Sequence, residues 1–121
     1  VKKMKQELSI KPENLICCIC PSIRKCHFEV KQDVKKLFEE EFKNITDISK
    51  LIKKQPYKEG TDEKWNIDTI ELNKAMLIKE GLKPENIIDS KICTVCNSDQ
   101  LHSYRVEKEK FGLETAIIAL K

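Results

Sequence analysis

The apolar positions of the chain fall into two periods. Met4 and Leu8 stand one helical step apart, with Lys and Glu on the other faces, so VKKMKQELSI reads as the last turns of a helix. In NLICCICP, residues Leu15 to Cys20 are all apolar, the pattern of a strand buried on both faces, and Pro21 ends it. Ser22 to Lys25 then turn. Val30, Val34, Leu37, Phe38 and Phe42 follow as one apolar stripe at helical spacing, and Ile45, Ile48, Leu51 and Ile52 predict a further helical piece. QPYKEGTDEK, with Pro56 and Gly60, reads as an exposed loop.

The second half begins with a short strand over KWNID. Asp68 is placed to cap a helix, with Glu71 at the third helical position in a capping-box pattern, and Leu72, Ala75 and Met76 are expected to face inward. Gly81 suits the end of that helix and Pro84 lies just beyond it. ENIIDSKIC is a strand candidate, and LHSYRVE and ETAIIAL predict two strands of a hairpin around KEKFG. One internal echo stands out. IKPENLI at 10–16 resembles LKPENII at 82–88, and each copy leads into a cysteine-bearing segment, ICCIC and ICTVC. That spacing matches Cys17 with Cys93 and Cys20 with Cys96, as two helix–turn–strand units of similar build, or as two uses of one good helix-to-strand turn.

At 121 residues the chain predicts a single domain over residues 1–121 with one core. Hydrophobic residues make up 40% and charged residues 36%, which supports a packed fold with a heavily solvated surface. The net charge of +3 comes from interleaved Lys and Glu, with only Arg24 and Arg105 as arginines and seven aromatics. This is not the clustered basic face with stacking platforms that nucleic acid requires. No apolar run approaches the roughly 18 residues that span a bilayer, and no signal-peptide core follows the basic start. The expectation is therefore a cytoplasmic protein with no nucleic-acid or membrane partner. Its six cysteines would be thiols, metal ligands or reactive groups rather than a disulfide framework.

Those cysteines are the candidate chemistry. Two Cys-x-x-Cys pairs, Cys17/Cys20 and Cys93/Cys96, together with Cys26-His27 and His102, could furnish four thiolate or imidazole ligands to zinc. Within an extended strand, however, residues three apart face opposite ways, and CCIC has no glycine for a tight turn, so its cysteines read as small hydrophobes. Cys93 and Cys96 are better placed, because Asn97 and the NSDQ segment favour a turn. A thioredoxin-like pair wants its first cysteine at a helix N-terminus, and no amphipathic helix follows Cys96. Glycine-rich phosphate loops and hydrolase or zinc-protease signatures are absent.

Four blocks in order carry a family resemblance: PENLICCICPSIRKCHFEVKQDVKKLF, KWNIDTIELNKAMLIKEGL, ENIIDSKICTVCNSDQLHSYR and TAIIAL. The most specific positions are Pro21-Ser22-Ile23 with Cys26 and Phe28-Glu29-Val30, Asp68 with Asn73, and Cys93-Thr94-x-Cys96 leading to Ser103-Tyr104-Arg105. Over nearly all its length the chain resembles the C-terminal half of the laccase-domain family, also described as multicopper polyphenol oxidases or purine nucleoside phosphorylases. The resemblance implies an α+β fold, a mixed sheet with flanking helices that is part of a layered α/β/β/α domain. It also implies action on purine nucleosides and phosphate, with adenosine deamination and phenol oxidation also described for the family. The implied zinc or copper sits on a His-Cys-His set in the family's N-terminal half. That set's surrounding segment is absent here, neither His27 nor His102 matches it, and Cys20 stands where the family usually has glycine before Pro21. The expectation is thus the C-terminal part of such an enzyme, without the principal metal ligands.

Within this half, Arg105 is a candidate to grip a phosphate or carboxylate, or to form a structural ion pair. Ser22, at the end of a buried strand, is a candidate substrate donor or the cap of the next turn. Cys93, Cys96 and His102 are candidates to line a pocket. In an alternative reading, a small zinc-stabilised binding module uses Cys93, Cys96 and the Cys17–Cys26 region. A third reading is an interaction domain forming a homo-oligomer through an unpaired sheet edge.

Overall fold

The computed structural model describes residues 1–57 and 59–119, leaving Lys58, Leu120 and Lys121 outside the description. Helix α1 (Lys2–Leu8) precedes strand β1 (Cys17–Ile19). A tight turn leads to β2 (Glu29–Val30), α2 (Gln32–Phe42), β3 (Ile52–Lys54) and β4 (Trp65–Ile67). The chain continues through α3 (Thr69–Lys79), β5 (Ile87–Asp89) and the single-turn α4 (Tyr104–Glu107). The architecture is α+β. Its parallel and antiparallel pairings lie in two small sheets, β1–β5 parallel and β2–β4–β3 antiparallel.

The antiparallel sheet holds the core. Val30 pairs with Trp65 and Ile52 with Ile67, and Phe28, Val34 and Phe38 pack over them. Ile67 is fully buried, and burying such a side chain contributes on the order of 1.5–3 kcal/mol. Lys35 and Lys54 place their ammonium groups over the Trp65 ring, 5.7 and 5.8 Å from its centroid, in cation–π contact. Asn66 is the buried polar member of β4. Its Nδ2 donates to the Lys25 carbonyl and its Oδ1 accepts from Gln55, so both ends of the amide are paired.

α3 starts as its sequence predicts, with the Asp68 carboxylate accepting from the Glu71 N–H at 3.2 Å. Only this half of the capping box forms. The Asp68 N–H goes to the Leu51 carbonyl, and the Glu71 carboxylate goes to Lys74. Gly81 takes φ 99° and ends the helix, a conformation open to glycine because it has no Cβ. Leu72 is buried with Ile70, but Met76 faces outward.

The echo between the two PEN segments is real as structure. Pro12–Asn14 and Pro84–Asn86 each form a single 3-10 turn feeding a strand, and the two strands pair with each other, Cys17 against Ile87 and Ile19 against Asp89. The Asn86 amide donates to the Glu13 carbonyl between the two turns. Across the pairing Cys17 stands opposite Ile87, and Cys93 bridges Ser22.

Three expectations are corrected. Leu15 to Cys20 is not buried on both faces: the regular strand is three residues long, Ile16 is 70% exposed, and Cys18 and Cys20 are exposed, because β5 is its one strand neighbour among the described residues. Ile52 does not continue a helix. A 3-10 turn at Ile48–Leu51 delivers it into β3, where pairing with Ile67 buries it better than a helix would. The terminal hairpin does not form among the described residues. LHSYRVE becomes the turn of α4, because the Glu107 carboxylate folds back onto the Ser103 N–H at 2.8 Å and the His102 ring at 3.0 Å, a local cap that outweighs the strand propensity of Tyr and Val. The segment from Leu113 to Ala119 runs without regular structure, Ile118 is 92% exposed, and Leu120, the end of the expected second strand, lies outside the description.

Candidate functional site

Two turns meet beyond the ends of the parallel strands. The first is Arg24–His27, between β1 and β2. The N–H groups of His27 and Phe28 both donate to the Arg24 carbonyl at 2.8 Å, and Asn66 holds the Lys25 carbonyl from β4. This presents Cys26 and His27 on one tight bend. The second is Cys93–Leu101, after β5. The Asn97 N–H and the Asn97 side chain both donate to the Cys93 carbonyl, at 3.1 and 2.8 Å, which curls the segment into a helical turn. Residues three apart then share a face, and Cys93 and Cys96 point the same way.

The turns are tied together by backbone and by one guanidinium. Ser22 N–H donates to the Ile92 carbonyl and Thr94 N–H to the Ser22 carbonyl. Arg24 sends Nε to the Ile92 carbonyl at 3.0 Å, Nη1 to Asp89 Oδ2 at 3.1 Å, and Nη2 to Asp89 Oδ1. Lys74 of α3 also reaches Asp89, at 3.2 Å, and the Lys91 N–H donates to the same carboxylate at 2.9 Å. The paired Arg24 guanidinium is the chief reason the Asp89 carboxyl is held well below the usual carboxylate range; burial opposes it, and Lys91 and Lys74 add to it.

At the junction Cys26, His27, Cys93 and Cys96 bring three thiols and one imidazole within 4.8 Å of one another, a donor set that could hold a metal ion. The Cys26 sulfur is 3.6 Å from that of Cys93 and 3.8 Å from that of Cys96. His27 Nδ1 is 3.2 Å from Cys26, 3.7 Å from Cys93 and 3.5 Å from Cys96. Burial, then contact with the other two thiols, pushes the Cys26 thiol up to about 12. Burial also pushes on Cys93, but there it is outweighed by the N–H groups of Cys96 and Arg24, the His27 ring and the Cys26 thiol, which leave Cys93 at about 6.

This arrangement sorts the residues singled out from sequence. Cys93 and Cys96 do come together, and with Cys26. Cys17 and Cys20 stay outside the cluster, Cys17 on β1 and Cys20 just beyond it. His102 is not a member; its ring is engaged by Glu107, which is the main reason its pKa is raised. The ligand-type histidine is His27, one of the two that the sequence offered as imidazole ligands. The signal for it was its place beside Cys26 immediately after a turn.

Arg105 lies on α4 rather than on a strand, and its Nη1 donates to the Glu29 carbonyl at 3.2 Å. Among the described residues it forms no ion pair with a carboxylate. It lines a recess of about 250 Å³ together with Cys26, His27, Glu29, Gln55 and Asn66. Ser22 lines a different place: its Oγ is buried at the junction of the two turns and has no hydrogen-bond partner among the described residues, so it does not cap the next turn.

Comparison with known proteins gives this arrangement its setting. The model of a family described as multi-copper polyphenol oxidoreductase laccase matches residues 1–121. A purine nucleoside phosphorylase of Bacteroides thetaiotaomicron is 30% identical over 103 residues, covering 85% of this chain and 36% of that protein. Among solved structures, the hypothetical protein YfiH of Bacillus licheniformis superposes with a TM-score of 0.73 at 21% identity, over 89% of this chain and 38% of that one. YlmD of Geobacillus stearothermophilus gives 0.69 at 21% identity, over 90% and 38%. The chain therefore spans little more than a third of the length of these relatives. No helix among the described residues is long and apolar enough to cross a membrane.

Proposed function

This chain belongs to the multi-copper polyphenol oxidoreductase laccase family, and from that membership we propose that it forms one wall of a site that cleaves purine nucleosides with phosphate. The observation that carries the proposal is Arg105. Its guanidinium borders a polar recess and spends one N–H on a carbonyl rather than on a carboxylate, so its charge is left for an anion. A planar guanidinium matches phosphate with two parallel N–H···O bonds, which a lysine does not reproduce. The relative named as a purine nucleoside phosphorylase supports the same substrate class.

In phosphorolysis a phosphate oxygen attacks C1′ of the ribose, the bond from C1′ to the purine nitrogen breaks, and that nitrogen takes the electron pair and a proton. The contribution of this chain is orientation of the incoming phosphate by Arg105 and exclusion of water by the walls of the recess. Ser22 Oγ, buried and unpartnered, is a second donor that a substrate can reach only if the junction opens.

The zinc or copper implied by the family resemblance does not fit the residues present. A His-Cys-His set needs two imidazoles, and here one histidine sits among three thiols while the other is held by Glu107. The ligands of that metal would come from residues outside these 121. The test is phosphate-dependent release of free base from inosine or adenosine by the protein that carries this chain. Arg105→Ala should raise KM for phosphate by about tenfold or more, the worth of one charge-assisted hydrogen bond, with the circular dichroism spectrum unchanged. An unchanged phosphate KM, or base release that ignores phosphate, would overturn the proposal.

A further inference from the structure

Four donor atoms from two turns nearly seventy residues apart converge at Cys26, His27, Cys93 and Cys96, and the geometry points to a four-coordinate structural zinc site. The separations carry the inference. With zinc–sulfur bonds of about 2.3 Å and a zinc–nitrogen bond of about 2.0 Å, a regular tetrahedron places its sulfurs about 3.8 Å apart and each sulfur about 3.5 Å from the nitrogen. The sulfur–sulfur distances from Cys26 are 3.6 and 3.8 Å. The distances from His27 Nδ1 are 3.2, 3.7 and 3.5 Å. The remaining edge, Cys93 to Cys96, falls within the 4.8 Å that encloses all four donors.

No other arrangement of these groups explains the spacing as well. A disulfide needs its sulfurs about 2.05 Å apart, far closer than any pair here. Thiol–thiol hydrogen bonds are weak, and three thiols packed on one imidazole nitrogen form a poor hydrogen-bond network, because each sulfur has at best one proton to share. A hydrophobic cluster of cysteines would not draw in an imidazole and leave Cys26 and Cys96 exposed. Thiolate and imidazole donors select zinc or another thiophilic ion over calcium or magnesium, which seek oxygen.

The i, i+3 turn that aligns Cys93 with Cys96 is fixed by Asn97, and the bend that carries Cys26-His27 is fixed by Asn66, so both halves are built before an ion arrives. All four positions are filled by protein, which makes the site structural rather than catalytic. Its effect is to staple the β1–β2 turn to the segment after β5, and so to fix the Cys26 and His27 side of the recess that Arg105 borders. The inference stands independently of nucleoside chemistry, and metal content and activity are separate readouts.

The experiment uses the purified protein, reduced and stripped with a chelator, then titrated with cobalt and back-titrated with zinc. The expected result is one cobalt per chain with the visible d–d bands of a tetrahedral ion and sulfur-to-cobalt charge transfer, both abolished by zinc. Thiol titration of the zinc form should find Cys26, Cys93 and Cys96 protected, leaving three of the six thiols reactive. Cys96→Ser, at an exposed position, should weaken cobalt binding at least about tenfold and reduce the charge-transfer intensity. Cys18→Ser, exposed and outside the cluster, should leave both unchanged. Any of three results would overturn the site: a reduced protein that takes up neither ion, a cobalt spectrum of octahedral type, or Cys96→Ser binding as the parent does.

Discussion

Replacing Asp89 with asparagine removes one charge and almost no volume, and it strikes the tie between the two turns. The Asp89 carboxylate accepts from both terminal nitrogens of Arg24, from Lys74 and from the Lys91 N–H. An asparagine has one oxygen to offer and turns an N–H₂ group toward the guanidinium, leaving Arg24 half-partnered. The side chains of Asp89 and Arg24 are 9% and 16% exposed, and that of Lys74 is 26% exposed. Removing one partner from a fully buried pair costs about 3–5 kcal/mol, and the solvent that reaches Lys74 and part of Arg24 brings the expected loss to about 2–3 kcal/mol. For a chain of this length that lowers Tm by about 10 °C. Urea unfolding followed by Trp65, the single tryptophan, at fixed metal content would measure it, with an unchanged slope showing that the denatured state is not altered.

The pH dependence gives the sign. The folded-state pKa of Asp89 is depressed, chiefly by Arg24. Its contribution is therefore complete above the unfolded value of about 3.9 and is lost as pH falls from there toward the depressed folded value. The gap between parent and Asp89→Asn should be full at pH 7 and shrink at pH 3. A loss below about 0.5 kcal/mol would reduce the pair to an ordinary surface bridge, and a gap that does not change between pH 7 and pH 3 would refute the charge argument.

Ile67→Ala should cost about 3–4 kcal/mol, because the side chain is fully buried between β2 and β3 and its removal leaves a cavity; a loss under about 1 kcal/mol in the same urea assay would mean that the core is centred elsewhere. His102 should titrate above its ordinary value by proton NMR, and Glu107→Gln should return it toward about 6.5; an unmoved pKa would sink the pairing. The signs in that pair are opposite. The His102 contribution is present below its unfolded pKa and lost as pH rises through the raised folded value, while that of Glu107, whose pKa is lowered chiefly by His102, is lost as pH falls.

Local chemistry in the sequence determined a good part of this protein. The Asp68 cap, the Gly81 stop, the KWNID strand and the loop around Gly60 are each set by residues within a few positions of one another, and each appears as the pattern predicts; the apolar stripe gives α2 only in part, because Val30 falls in β2 and Leu37 is 58% exposed. The ordered family blocks, from Pro21-Ser22-Ile23 to Ser103-Tyr104-Arg105, carried the family. The periodicity of Leu15–Cys20 misled, because an all-apolar run states only that something will cover the strand, and the described residues leave one side of β1 without a neighbour. Tyr104 to Glu107 misled because one glutamate reaching back to Ser103 reverses the local preference of four residues.

Tertiary structure decided the site. Cys26-His27 and Cys93-x-x-Cys96 are unremarkable pairs until parallel pairing of β1 with β5 sets their turns side by side and Arg24 locks them there. The sequence echo matched Cys17 with Cys93 and Cys20 with Cys96 as two Cys-x-x-Cys pairs, but strand geometry sends residues three apart to opposite faces, whereas a helical turn gathers them. Spacing alone cannot tell those two cases apart. What separates them is the Asn97 bond to the Cys93 carbonyl and the Asn66 bond to the Lys25 carbonyl, contacts four and forty-one residues apart that exist only once the chain has folded.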